Sequence, residues 1–337
     1  MSQEVAISVV VPVYRVERFV GRCAESLFGQ TMREGVEFIF VDDATPDGSM
    51  AVVGRCLERH PERKAQVRVL RHTQNMGLPA ARNTGLGAAS GEYVFHCDSD
   101  DFLEQNALER MYCAARAHDA DIVWCDWYLS MAGGERYMRQ PCYDTPLEAL
   151  KAMLCGGMKY NVWNKLARRR LYTANGIAFP AGHGMGEDMA MMRLFAVAGK
   201  VFYLNEALYH YVRTNEAAFT RLGGPAAGKH LGDLRHNVER TIEFVRQSFG
   251  GQMERELAFF QLEAKFPFLI TDDRESYRLW REWFPEANRF IMQNKSVSLR
   301  SRLLQYMAAR GQYWYVWLYN FLLVKVVYGM IYGNRHC

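Results

Sequence analysis

Two runs of carboxylates follow apolar, β-branched stretches in the first hundred residues: Asp42-Asp43 after Val36 to Val41, and Asp98-Ser99-Asp100-Asp101 after Glu92 to Cys97. Acids gathered at one edge repel each other unless a cation or a donor-rich ligand joins them, and a hard divalent ion carrying a diphosphate meets that need. Carboxylates at i and i+2, here Asp98 and Asp100, can share magnesium or manganese whose other positions go to phosphate oxygens and water. Each run also has a plainer reading. Asp42-Asp43 precede Thr45-Pro46-Asp47-Gly48, where aspartate suits a turn and a helix cap, and Asp100 or Asp101 would serve to cap a helix starting near Leu103. Capping takes one acid, however, and the second run has three.

Elements able to position these acids are visible in a βαβ rhythm. Strands are expected at Ile7 to Val13, Val36 to Val41, Val67 to Leu70, Glu92 to Cys97 and Asp121 to Cys125. Between them, Val16, Phe19, Val20, Cys23 and Leu27 share one helical face, as do Leu108, Met111, Tyr112 and Ala115. The spacing predicts an α/β chain with a mainly parallel sheet flanked by helices, and ligands on such sheets bind beyond the carboxyl ends of the strands. Pro12 and Tyr14 stand at the first of those ends. Beyond Trp124 the rhythm loosens into loops and helices holding Trp163, Glu187 and Asp188, then a strand-like run from Val201 to Leu204. Residues 216 to 294 read as mostly helical, with Gly223-Gly224-Pro225 as a linker. The expected division is therefore 1–215, itself in halves 1–125 and 126–215, then a helical region 216–294 and a tail 295–337.

Composition narrows the function classes. Lysine and arginine total 41 against 37 acids in 337 residues, too even a balance for nucleic acid to be the partner of the whole surface. The basic excess belongs to the tail, where Lys295, Arg300, Arg302, Arg310, Lys325 and Arg335 meet no acid. Eight cysteines are scattered without a CxxC pair or zinc-like spacing, which points to reduced thiols in a reducing compartment. The start, MSQEVAISVVVPVY, is acidic and β-branched rather than signal-like, so the cytoplasm is expected. No GxGxxG follows the first strand, which reads PVYRVERFVG and excludes a dinucleotide-binding dehydrogenase. An aspartyl phosphotransferase would leave Asp42-Asp43 and Glu187-Asp188 unexplained.

Taken in order, Val10-Val11-Pro12-Val13-Tyr14, Val41-Asp42-Asp43-Ala44-Thr45-Pro46-Asp47-Gly48-Ser49, Asn75-Met76-Gly77-Leu78-Pro79-Ala80-Ala81-Arg82-Asn83-Thr84-Gly85 and Asp98-Ser99-Asp100-Asp101 resemble a family 2 glycosyltransferase of the GT-A fold. Val162-Trp163-Asn164-Lys165-Leu166 and Gly186-Glu187-Asp188 extend the likeness to the bacterial surface-polysaccharide members, over about residues 6 to 215. The resemblance implies inverting transfer from a nucleoside diphosphate sugar, with UDP the expected nucleotide, to a hydroxyl of a saccharide or lipid-linked acceptor. It implies that Pro12, Tyr14 and one or both of Asp42 and Asp43 hold the base, that Arg82 reaches the ribose or diphosphate, and that Asp98, Ser99, Asp100 and Asp101 bind a manganese or magnesium ion and the sugar-phosphate. Such roles suit the residue types: a carboxylate accepts the imide N–H of uracil, an aromatic ring stacks on the base, and an arginine forks onto phosphate.

By the same resemblance Asp188 is the general base, while Trp163, Lys165, Glu187 and Arg213, with His210 and Tyr211, belong to the acceptor or diphosphate side. Plainer readings stand beside these. Arg82 would suit a solvated helix face, Trp163 would suit packing, and Glu187-Asp188 would suit a helix N-terminus, whose dipole depresses the pKa of a base. Arg15 stands where the family commonly has asparagine, and the family's pattern is only partly kept over 210–220. A non-catalytic relative serving a membrane polysaccharide complex is the alternative.

In the tail, Arg300, Arg302 and Arg310 precede Tyr313-Trp314-Tyr315-Val316-Trp317-Leu318-Tyr319, and basic residues beside interfacial aromatics suit an anionic leaflet. Gly311 to Gly333 is long enough for a span, yet Lys325, Asn320 and five tyrosines are costly in hydrocarbon. An interfacial helix pair, peripheral on the inner face of the plasma membrane, is expected ahead of burial within the chain or a span.

Overall fold

In the computed structural model, which describes residues 4–184, 186–213, 227–270 and 274–322, the first apolar run forms β1 (Ile7–Val13), buried at all seven positions. A strand covered on both faces has no reason to alternate, so its sequence is almost continuously apolar. α1 (Val20–Phe28) leads to β2 (Val36–Asp42), parallel to β1 with Val13 opposite Asp42. α2 (Ser49–Arg59) leads to β3 (Val67–Arg71), a partly exposed edge strand whose Arg71 lies opposite Asp42. α3 (Leu78–Ala88) then presses on β1 so closely that a Cβ on Gly85 would stand 2.3 Å from Val10 Cγ1. That contact fixes the helix carrying Arg82. β4 (Tyr93–His96) runs parallel to β1 on its other side.

The chain continues through β5 (Phe102–Leu103), α4 (Ala107–Ala117), β6 (Ile122–Met131), β7 (Gly134–Met138), α5 (Pro146–Leu154), β8 (Lys165–Arg168), α6 (Arg169–Ala174), α7 (Ala190–Val197) and β9 (Val201–Val212). Among the described residues the strand order is β3-β2-β1-β4-β8-β6-β9-β5, with β7 on β6. The sheet is parallel from β3 to β4, antiparallel where β8 joins β4 and β6, and parallel again between β6 and β9. Asp98 to Asp101 thus bridge from β4, beside β1, to β5, which pairs antiparallel with β9. β6 and β9 run to 10 and 12 residues, well past the apolar runs that announced them. Their second halves are rich in aromatic residues, with Trp127, Leu208 and Tyr209 buried, and are paired to each other past an irregularity at Asp126.

The described residues fall into two compact units, one within Met1–Ala149 and Tyr160–Thr241, the other within Leu150–Lys159 and Ile242–Cys337. α8 (Ala227–Phe249) contributes to both. The division expected at residue 215 lies outside the described residues. In the second unit α9 (Glu254–Lys265), α10 (Arg274–Glu282), α11 (Leu299–Ala309) and α12 (Tyr313–Asn320) enclose a core of Phe259, Leu262, Leu269, Trp280 and Ile291. Leu304 and Ala308 of α11 and Val316 of α12 belong to that core, and Asn320 Nδ2 donates to the Leu269 carbonyl at 2.7 Å. Part of the expected membrane tail is therefore interior. Residues 323–337, with Lys325 and most of the stretch considered as a span, lie outside the described residues. No described helix is long and apolar enough to cross a membrane.

Candidate active site

The ends of β2 and β3 frame a cleft of about 640 Å³ lined by Asp42, Thr45, Asp47, Arg71, His72 and Thr73 among others. Asp42, buried at the end of β2, accepts from the Thr45 N–H at 2.8 Å and from Arg71 Nε at 2.8 Å. The first bond is the turn contact that the sequence allowed for; the second sets a carboxylate beside an exposed guanidinium at the cleft wall. Tyr14 is exposed just past β1, where Arg15, at φ 54°, stands 5.3 Å from its ring. Pro12 is buried within β1.

Asp43 is placed differently from its neighbour. Its buried carboxylate accepts from Asn75 Nδ2 at 2.9 Å and from the Met76 and Gly77 N–H groups at 2.8 Å each, and His72 Nδ1 lies 2.6 Å away. Four donors occupy most of the lone pairs a carboxylate offers. Asp43 therefore organises the loop from 72 to 77 that starts α3, where Gly77 takes the positive φ of 87° that a side chain would resist.

Deeper in the first unit, Arg82 joins the two acidic motifs. Its guanidinium is 1% exposed and donates to Asp98 Oδ1 at 2.8 Å, Asp188 Oδ1 at 2.9 Å and Glu187 Oε1 at 3.4 Å, while Nε has no protein partner. Burial opposes its charge, but Asp98, Asp188 and Glu187 outweigh that and hold it more firmly protonated than a free arginine. The helix-face reading of Arg82 thus gives way to a buried junction. Glu187 and Asp188 occupy a single 3₁₀ turn, Glu187–Met189, directly before α7. Burial raises the pKa of Asp188 against the pull of Arg82, and burial with Asp188 beside it pushes Glu187 up to about 8. The depression expected from the helix terminus is outweighed by desolvation.

Among the four residues following Cys97, the two outer positions of the Asp-Ser-Asp triplet differ from Asp101. Ser99 is buried, whereas Asp98 and Asp100 are partly exposed. Asp101 turns inward: Tyr209 Oη donates to Oδ2 at 2.7 Å and the Val212 N–H to Oδ1 at 2.7 Å, and burial together with Asp100 and Asp98 drives its pKa well above the usual carboxylate range. The Asp98 N–H bonds the same Tyr209 hydroxyl at 3.2 Å, so β9 is tied to both ends of the run. Among the described residues no three His, Cys, Asp or Glu side chains converge as a ready-made metal site. Asp98 and Asp100 still supply two hard oxygen donors, which suit a magnesium or manganese ion drawing its remaining ligands from diphosphate and water.

Trp163 stacks on Tyr209 at 4.5 Å and on Tyr211 at 5.3 Å, edge-on to Trp127. It braces the tyrosine that holds Asp101. Lys165 is buried at the start of β8, its Nζ donating to Asn161 O at 2.6 Å and Asn164 Oδ1 at 2.8 Å, and burial lowers its pKa to about 7 against the opposing field of Asp188. His210 sits between Glu135 and Glu104, at 2.8 and 2.9 Å, with Phe102 stacked on it; exposed Arg213 donates its N–H to Ser130 O. Arg71, Tyr209 and His96 were missed from sequence. Arg71 was within reach of the strand-end rule, since it closes β3. Tyr209 lies inside a strand with no turn or cluster of acids to flag it, and His96 is a buried β4 residue with neither ring nitrogen partnered, kept neutral by burial and by Arg82.

The comparisons with known proteins agree on one family. The model for Glycosyl transferase family 2 matches residues 8–193. The uncharacterized glycosyltransferase EpsJ of Bacillus subtilis (strain 168) is 30% identical over 277 residues, 79% of this chain and 77% of that protein. Among solved structures, S. aureus TarS 1–349 in complex with UDP-GlcNAc superposes with a TM-score of 0.67 at 20% identity, over 93% of this chain and 89% of that one. Mannosyltransferase PcManGT from Pyrobaculum calidifontis, in complex with GDP-Man and Mn2+, gives 0.50 at 16% identity, over 92% and 90%. At such identities the structural likeness speaks for the fold, and the family match speaks for the chemistry: the chain belongs to glycosyl transferase family 2 and is a glycosyltransferase with the GT-A fold.

Proposed function

We propose that this glycosyltransferase moves a sugar from a UDP-sugar to a hydroxyl of a saccharide or lipid-linked saccharide, with inversion at the anomeric carbon, in cell-surface polysaccharide synthesis on the cytoplasmic side. The observation that carries the reading is the Arg82 junction, which holds Asp98 and Asp188 within 2.8 and 2.9 Å of one buried guanidinium. A carboxylate for the donor's diphosphate end and a carboxylate for the acceptor's proton are thereby kept at fixed spacing on rigid elements, as transfer between two bound substrates requires.

The residue roles are part of the same proposal. Uracil takes its imide contact from Asp42, with Arg71 next to that carboxylate and Tyr14 beside the base, because the Asp43 carboxylate is engaged by the 72–77 loop. Asp188 accepts the acceptor's hydroxyl proton as the oxygen bonds to the anomeric carbon and the bond to the diphosphate breaks on the opposite face. Its raised pKa makes it a better base than a solvated aspartate, and Arg82 keeps it ionised and oriented. Held by Asp98 and Asp100, a manganese or magnesium ion would neutralise charge on the diphosphate. Tyr209 of β9, stacked on Trp163 and bonded to Asp101, supports the 98–101 segment without touching substrate. The TarS structure with UDP-GlcNAc makes UDP the nucleotide to try first.

The test is turnover of a panel of UDP-sugars, with GDP-mannose as comparison, in the presence of manganese. UDP release from one or more UDP-sugars and a product of opposite anomeric configuration is expected. Binding without turnover of any nucleotide sugar would favour a non-catalytic relative.

A further inference from the structure

The helix α12 has one face too many. Val316 and Asn320 point into the core of the second unit, and Asn320 is held there by the Leu269 carbonyl and the Tyr277 hydroxyl. On the opposite face Trp314, Trp317, Leu318 and Phe321 recur at i, i+3, i+4 and i+7 and are exposed, the two tryptophans by 60% and 53%. Trp317 and Phe321 stack on each other at 5.5 Å rather than on the core. α11 repeats the pattern, with Leu304 and Ala308 inward and Leu299 and Leu303 exposed. Single exposed apolar residues need no explanation, but a stripe along two packed helices marks a binding face.

We infer that this outward face of α11 and α12 docks on an anionic lipid bilayer. Tryptophan suits the headgroup level, where its ring is desolvated while its N–H stays wet. Charge points to the same occupant: between residues 287 and 322 there are five cations, Arg289, Lys295, Arg300, Arg302 and Arg310, and no acid. Arg302 and Arg300 are partly spent internally, Arg302 Nη1 on the Met292 carbonyl at 3.1 Å and Arg300 Nε on the Tyr319 hydroxyl at 2.8 Å, yet Lys295, Arg300 and Arg310 are all exposed to solvent. A second copy of the chain fits less well. Apposing two such faces would set arginines against arginines with no carboxylate among residues 287–322 to pair them. The inference does not depend on the transfer reaction, and it locates membrane contact on half of each helix rather than on the whole tail.

Because the inward residues belong to the core, deleting the tail would confound docking with folding; point changes on the outer face avoid this. The experiment is flotation of the full chain with vesicles of phosphatidylcholine and phosphatidylglycerol, compared with phosphatidylcholine alone, at low and high salt. The chain is expected to float with the anionic vesicles and to be released by salt. Trp314→Ala with Trp317→Ala should abolish flotation with an unchanged melting temperature, and Arg310→Gln should weaken it about fivefold, the worth of one cation at an anionic surface. Indifference to both vesicle types, or equal binding to both with Arg310→Gln silent, overturns the inference. So does a dimer in solution that the double tryptophan change converts to monomers, which would assign the face to a second copy.

Discussion

Replacing Arg82 by methionine keeps an unbranched apolar stem and removes the charge that three acids share. With the guanidinium 1% exposed, the change leaves Asp98, Glu187 and Asp188 facing one another, and breaking a buried ion pair costs about 3–5 kcal/mol. The acids are 23%, 14% and 24% exposed, so cleft water softens the loss toward the lower end, about 3 kcal/mol. At about 2–4 °C per kcal/mol for a unit of this size, the melting temperature should fall by roughly 6–12 °C. The sign of the pH dependence is fixed. Glu187 already has its pKa raised from 4.5 to about 8 and Asp188 is also raised; without Arg82 both rise further. An acid with a raised folded-state pKa binds more protons folded than unfolded, so stability drops as pH climbs from the unfolded value through the folded one. The deficit of Arg82→Met should therefore be small near pH 5 and largest above pH 8. Calorimetry of both proteins across that range measures it, and Asp98→Asn added to Arg82→Met should restore part of the loss at high pH. An unchanged melting temperature, or a deficit equal at pH 5 and pH 9, would refute the shared-junction account.

The neighbouring aspartates should separate cleanly. Asp42→Ala, which removes one of the two carboxylates lining the cleft, is expected to weaken UDP binding by about 1.5–3 kcal/mol in titration calorimetry, the worth of a charged hydrogen bond, whereas Asp43→Ala should lower the melting temperature first, having orphaned the donors of the 72–77 loop; the reverse pattern would exchange their roles. Asp100→Ala should remove the extra thermal stabilisation that manganese gives in the presence of UDP while leaving the protein's own melting temperature within a degree or two of unchanged, and a variant that still responds fully to manganese would take Asp100 out of the metal site.

What the sequence revealed was governed by local signals. β1 and β2 announced themselves as continuous apolar runs because both faces are covered, and the acids were found because strands of that kind end at ligand sites. Less was legible where partners lie far apart in the chain. Asp43 and Asp42 are adjacent and alike in type, yet one is engaged by a loop some 30 residues on and the other faces a cleft, a difference set by Gly77 and α3. Arg82 looks like an ordinary helix residue until the 3₁₀ turn at Glu187, 105 positions later, folds against it. β6 and β9 outran their apolar runs because polar positions such as Asp126 and His210 break the apolar pattern while strand pairing and buried aromatics such as Trp127 and Tyr209 carry the strands on. In the tail, a helix apolar all round gave no clue to which side is interior; packing of Val316 and Asn320 decides it.

The most direct measurement of the central claim is steady-state transfer by Asp188→Asn alongside the unaltered chain, with donor affinity determined on the same samples. If Asp188 is the base, held by Arg82 at 2.9 Å, transfer falls at least about a hundredfold, the scale expected for losing a general base, while UDP-sugar affinity stays within a factor of about two and the unaltered chain yields the inverted anomer. Near-normal turnover in Asp188→Asn, or a product of retained configuration, would contradict the account.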